Sequence, residues 1–453
     1  MAQSHVEERA RRTPVIAEAD VVVVGGGTAE SPPAKNRAST MILSRDCTIL
    51  RDLATQYRSL CDSDANRRKR AMWRKLNNLQ SERPMVFCNL GLLAEEIEPQ
   101  LPQPRIEKES LRRVERWFQR QFWEAAIGDD RVFNPWYTVR ADMLSRPEGV
   151  WGVAFSQMRD EHSRGWRHLP VLASIEDLAR LKATAHEVVA PRPPAAQELE
   201  DAFGDILPVT VKRSTVYGLW GGTDLSQAPG QLFGLEELLL ALCTEPAMIH
   251  KFMAFTRDAV LANLKQGEAA GDWSLTDSWY YSTPAFCDAL PDPVANSYGA
   301  KLKDLAYFSH AQEFEGVSPR MYKEFLFDYQ LPILELFGRV TYGCCETLDT
   351  KLVILEGVTN LSKIASGPRS DPARFPEKFG HRCVISWRPV STLITMEHFN
   401  EEAQKRQLRE GLARLKGCHV EVHMHEPMTV HNDTTRISRW AELALREAER
   451  AAD

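Results

Sequence analysis

Beyond residue 80 the chain alternates short apolar runs with longer segments whose apolar residues recur at helical spacing. Runs at 85–90, 133–139, 208–216, 273–277, 305–309, 339–344, 361–365, 383–387 and 419–424 have strand length and predict strands. The stretches 234–266, 318–336, 400–416 and 434–452 predict helices, the third stopping at Gly417, a residue suited to a helix C-terminus. Repeated strand–helix units imply a parallel sheet. Eight or nine strands in one series predict an α/β protein, a single (β/α)8 TIM-type barrel with helical N-terminal additions. In that fold, residues that end a strand are candidates for chemistry and residues that begin one are not.

This rule selects Tyr342-Gly343-Cys344-Cys345-Glu346, two adjacent thiols and a carboxylate where a strand turns into a helix. Thiolate, imidazole and carboxylate all bind zinc, so Cys344, Cys345 and Glu346 are candidate metal ligands. His423 and His425 alternate to one side of the last strand and can complete such a site from its far end. Cys418 begins that strand and is excluded, about 15–20 Å from the catalytic edge at ~3.3 Å per residue. Arg388, between Trp387 and Pro389, is a strand-end cation suited to a substrate carboxylate or carbonyl. His310 and Gln312 follow the 305–309 strand and can orient polar substrate groups. Asp277 offers a carboxylate beside Trp279, Tyr280 and Tyr281.

Composition narrows the setting. The 453 residues are 43% hydrophobic and 26% charged, with net charge −6, which gives no basic surplus for nucleic acid. The cluster Arg67-Arg68-Lys69-Arg70 is interleaved downstream with Met72, Trp73 and Leu76 and reads as the solvated face of an early helix. Nine scattered cysteines are not a secreted disulfide framework. With no apolar run of about 18 residues and a polar, charged start, the expectation is a cytoplasmic protein with free thiols and no membrane partner.

Near the start, Val21–Val24 with Gly25-Gly26-Gly27 resembles the opening of FAD-dependent oxidoreductases over about thirty residues. Glu30 stands where the third glycine belongs, and Ser31-Pro32-Pro33 cannot continue a helix from the turn. Residues 1–40 are therefore read as a non-domain extension without FAD, and 41–453 as the barrel. Asp160–Gly165 matches D-x-H-x-x-G, the loop through which corrinoid proteins ligate cobalt, in three positions only, and is read as coincidence.

Ser318-Pro319-Arg320-Met321-Tyr322-Lys323-Glu324-Phe325, the Tyr342–Glu346 stretch, Ser386-Trp387-Arg388-Pro389 and Gly417-Cys418-His419-Val420-Glu421 carry a further resemblance. From about Leu50 onward the chain resembles the uroporphyrinogen decarboxylase superfamily, in the branch related to corrinoid-dependent methyltransferases. The resemblance implies a (β/α)8 barrel. The arginine-rich N-terminal motif of true uroporphyrinogen decarboxylases is absent, since the region reads Glu82-Arg83-Pro84-Met85-Val86-Phe87. Zinc methyltransferases of the superfamily carry H-x-C at one strand end. Here Tyr342 stands at the histidine position and Cys344 at the cysteine, while the terminal cysteine falls near His425. The resemblance implies a zinc-dependent methyltransferase acting on a small substrate, with a corrinoid reached only through a partner protein and a homodimer as the candidate assembly. The alternatives are a decarboxylase or lyase acting on a small acid or tetrapyrrole, and a non-catalytic barrel that binds a tetrapyrrole or a partner.

Overall fold

A computed structural model describes residues 45–144, 148–154, 156–159, 166–217, 225–278 and 280–452. These belong to one unit that begins at Leu43. The Gly25–Gly27 turn, the 160–165 motif and Trp279 lie outside the described residues.

Two helices come first, α1 (Arg45–Cys61) and α2 (Asp64–Asn77). Ser63 caps α2 by accepting the Asn66 N–H. Arg67 and Arg68 are exposed while Trp73 and Leu76 are buried, so the basic cluster is the wet face of this helix.

Eight strands follow the predicted series: β1 (Met85–Cys88), β2 (Tyr137–Arg140), β3 (Val209–Lys212), β4 (Ala306–Ser309), β5 (Arg339–Tyr342), β6 (Leu361–Ser366), β7 (Val384–Trp387) and β8 (Val420–Met424). Six of them form one parallel sheet in the order β1-β8-β7-β6-β5-β4, and β2 pairs with β3 in parallel. Among the described residues no ladder joins the pair to the six. The chain is thus α/β with a six-stranded parallel sheet and a separate parallel pair. The predicted strand at 273–277 does not form. Ser274 makes an isolated bridge to Tyr298, and Leu275–Asp277 is a 3-10 turn. The Asp277 carboxylate accepts the Ser274 N–H at 2.8 Å, a local bond that replaces a ladder bond.

Register explains how the sheet is filled. Phe87 lies opposite His423, and Glu421 lies between Met85 and Ser386. Alternation therefore gives Met85, Phe87, Val384, Ser386, Glu421 and His423 one face. Val86, Cys88, Val420, Val422 and Met424 take the other, within the main core. That core is shared with the predicted helices, found at Leu235–Thr244, Pro246–Ala270, Glu401–Arg414 and Thr435–Ala452. Among the described residues no single helix is long and apolar enough to cross a membrane.

The first face is covered by Trp73 of α2 and by the segment 280–286, whose Phe286 packs with Met85, Phe87 and Val384. A buried polar layer crosses it. Lys363 pairs with Glu421 and donates to Thr283 Oγ1 at 2.8 Å, and Ser386 Oγ donates to Glu421 at 2.6 Å. The Lys363 ammonium also lies over the Trp73 and Tyr280 rings, at 5.3 and 4.9 Å.

Candidate functional site at the carboxyl edge of the sheet

A parallel sheet brings all its strand C-termini to one edge. Asn89, His310, Gly343, Arg388 and His425 are the residues that immediately follow β1, β4, β5, β7 and β8, or come within one position of doing so.

The cysteine turn is built by its neighbours. β5 ends at Tyr342, and Gly343 adopts φ +97°. A Cβ there would sit 2.7 Å from Leu348 Cδ1 and 3.1 Å from the Ala365 Cβ, so both the conformation and the space require glycine. Glu346 then closes the turn. Its two carboxylate oxygens accept the N–H groups of Ala311 and Cys344, each at 2.8 Å. With both oxygens used and only 1% of the residue exposed, Glu346 is placed as the clamp of the turn.

Tyr342 faces away from the cysteines. Its hydroxyl accepts from Tyr322 at 2.8 Å and donates to Gln330 Oε1 at 2.7 Å, in the helical run 319–334. Gln330 Nε2 in turn reaches Ser309 Oγ and the His310 carbonyl. The residue at the H-x-C histidine position thus anchors β5 to its outer helix layer.

What the turn presents is a pair of sulfurs and an imidazole. Cys344 and Cys345 Sγ are 3.6 Å apart, and Cys345 Sγ is 2.9 Å from His425 Nε2. The hydrogen bond from Cys345 pulls the Cys344 thiol down to about 7 against the effect of burial, with help from the charges of Arg388 and His310. The same bond, with burial, pushes Cys345 up. Burial and the Arg388 charge press His425 down to about 3 and hold His423 well below the usual range, which favours the neutral form, the one that binds metal.

Arg388 is 1% exposed. Its guanidinium lies 4.9 Å from the centre of the Tyr281 ring, and Nη2 donates to the Gly343 carbonyl at 3.4 Å. Burial works against its charge, but Cys344 and Tyr281 outweigh it and raise its pKa. Glu426, a non-glycine residue at φ +33°, accepts from Tyr281 OH and from Asn89 Nδ2. Asn89 and the Tyr281–Glu426 contact are absent from the sequence-based candidates. The strand-end rule points to Asn89, but nothing local reveals that the 280–286 segment crosses the sheet.

His310 is buried after β4, with Nδ1 accepting the Gln312 N–H at 3.3 Å. Gln312 is half-buried in the turn Gln312–Phe314. Asp277 stands apart. Its contacts are its own turn and Lys212 of β3 at 3.7 Å, and burial raises its pKa. The structure therefore gathers Cys344, Cys345, His425, Arg388 and His310, places His423 just beneath, and leaves Asp277 outside the group.

The donors test the zinc expectation. Two ~2.3 Å zinc–sulfur bonds at a tetrahedral angle put sulfurs about 3.7 Å apart, and a sulfur and an imidazole nitrogen about 3.5 Å apart. The Cys344–Cys345 spacing of 3.6 Å matches, whereas the Cys345–His425 contact of 2.9 Å is a direct hydrogen bond that a rotation of Cys345 would have to open. Among the described residues no three His, Cys, Asp or Glu side chains stand ready-made around an ion. The donor set is right in chemistry and one side chain short of the geometry.

No family model matches the chain, and no curated protein is significantly similar to it.

Proposed function

We propose that the chain is an enzyme of the uroporphyrinogen decarboxylase type, a (β/α)8 barrel that moves a methyl group between a small substrate and a corrinoid protein. The observation that carries this is the convergence of two sulfurs and an imidazole, spaced 3.6 and 2.9 Å, at the carboxyl edge of a parallel sheet. Cys344, Cys345 and His425 would hold zinc and leave its fourth position open. Zinc bound there would supply Lewis acidity, or would lower the pKa of an acceptor thiol. The chain's own residues do the rest. Glu346 holds the turn in place, Arg388 favours negative charge at Cys344, and burial of Cys344, His425 and Arg388 limits water there, with Cys345 half-buried.

Elemental analysis of the purified protein tests the reading. About one zinc per chain is expected, with loss of zinc and of methyl transfer from methylcobalamin in Cys344→Ser at unchanged circular dichroism. Zinc-free protein that still turns over would sink it. The 2.9 Å Cys345–His425 contact favours one other reading, a metal-free lyase in which this pair handles a proton. Its signature is carbon dioxide release that persists in chelator.

A further inference from the structure

Arg388 is a buried cation without a carboxylate. Three of its five N–H donors, on Nε and Nη1, make no hydrogen bond, and among the described residues no Asp or Glu pairs with it. The neighbouring buried cation, Lys363, is by contrast fully matched by Glu421. Cys344, Tyr281 and Cys345 favour the Arg388 charge, but buried donors left without hydrogen bonds are costly.

A second orphan lies close by. His423 is fully buried, and neither of its ring nitrogens has a hydrogen-bond partner among the described residues. Its ring centre is 5.8 Å from that of Tyr281, the ring on which Arg388 also rests. Buried polar groups in folded proteins are nearly always satisfied, so two such groups flanking one ring mark a place for a ligand. A cavity adjoins two residues that pack on His423, although neither Arg388 nor His423 lines it. Phe87 and Tyr281, which contact His423, also wall a cavity of about 310 Å³ lined further by Ser278, Ser282 and Thr283.

We infer that Arg388 and His423 form an anion subsite that takes the carboxylate of a small substrate, while the rest of the substrate faces Cys344 and Cys345. The inference rests on the proposed function only in taking the cysteines as the reacting end. Arg388 supplies the charge-assisted hydrogen bonds, and His423 donates one more.

Binding is read without turnover or metal, so failure of this inference and failure of methyl transfer are separable. Sodium acetate and sodium sulfate are titrated into the full chain at constant ionic strength set by chloride, with heat and thermal midpoint recorded. Acetate is expected to bind saturably in the millimolar range. Arg388→Met should weaken it at least about tenfold and Arg388→Lys less, while His423→Phe should weaken it a few-fold. No saturable acetate binding to the unmodified protein overturns the subsite, whatever the variants do. Sulfate binding in place of acetate overturns the carboxylate assignment, and equal acetate binding in folded Arg388→Met overturns the role of Arg388.

Discussion

Tyr342 and Cys344 show how little spacing alone says once a strand ends. Two residues apart, they would share a face in a continuing strand. The left-handed turn at Gly343 breaks that parity, so Tyr342 bonds outward to Gln330 while Cys344 stays by Arg388. Removing the Tyr342 hydroxyl leaves Tyr322 OH and Gln330 Oε1 short of a buried partner. Tyr342→Phe should therefore cost about 1–3 kcal/mol in urea unfolding and leave zinc content unchanged. A loss of zinc in that variant would show that Tyr342 acts on the site.

At the scale of elements, the cysteine turn is tied to the loop after β4. Glu315 accepts the Thr347 N–H at 3.0 Å and pairs with Arg369, and Lys351 donates to the Phe314 and Glu315 carbonyls. Burial works against the Glu315 charge, but Arg369 and the Thr347 N–H outweigh it and hold the carboxyl below its ordinary value. For an acid with a lowered folded pKa, the stabilisation is complete above the unfolded value of ~4.3 and fades as pH falls through the folded one. Glu315→Gln should accordingly lower the unfolding free energy from urea titration at pH 7 by no more than about 1 kcal/mol for a pair this exposed. The gap between variant and wild type should shrink below the unfolded value and close once pH falls beneath the lowered folded pKa. A gap that widens with acid would reverse the sign.

For the molecule as a whole, the Lys363–Glu421 layer joins β6 to β8 beneath the site. Lys363→Met strands Glu421 in a region with almost no solvent and should cost about 3–5 kcal/mol. Lys363→Met with Glu421→Leu should recover a large part of that, because the two losses are coupled. Simple additivity in the double variant, measured by urea unfolding, would mean the pair does not act as a unit.

Eight of the nine predicted strands and the long helices from Leu235 onward were legible in the sequence, whereas the helices Arg45–Cys61, Glu109–Ala125 and Pro194–Phe203 were not read there. Strands buried on both faces are continuous apolar runs, and helices carry their caps locally, as Asn400 does in accepting the Ala403 N–H before Glu401–Arg414. Strand-end position likewise brought out Cys344, Cys345, Arg388, His310 and His425, because a parallel sheet must collect its C-termini at one edge. Three things needed the tertiary structure. Which way Tyr342 and Glu346 point depends on one glycine dihedral and on partners 12 to 35 residues away. The turn at 275–277 replaced a strand because a side chain competed for the backbone. The unsatisfied Nε and Nη1 of Arg388 and the two bare ring nitrogens of His423 follow from what packs around them, and no local pattern of residues encodes the absence of a partner.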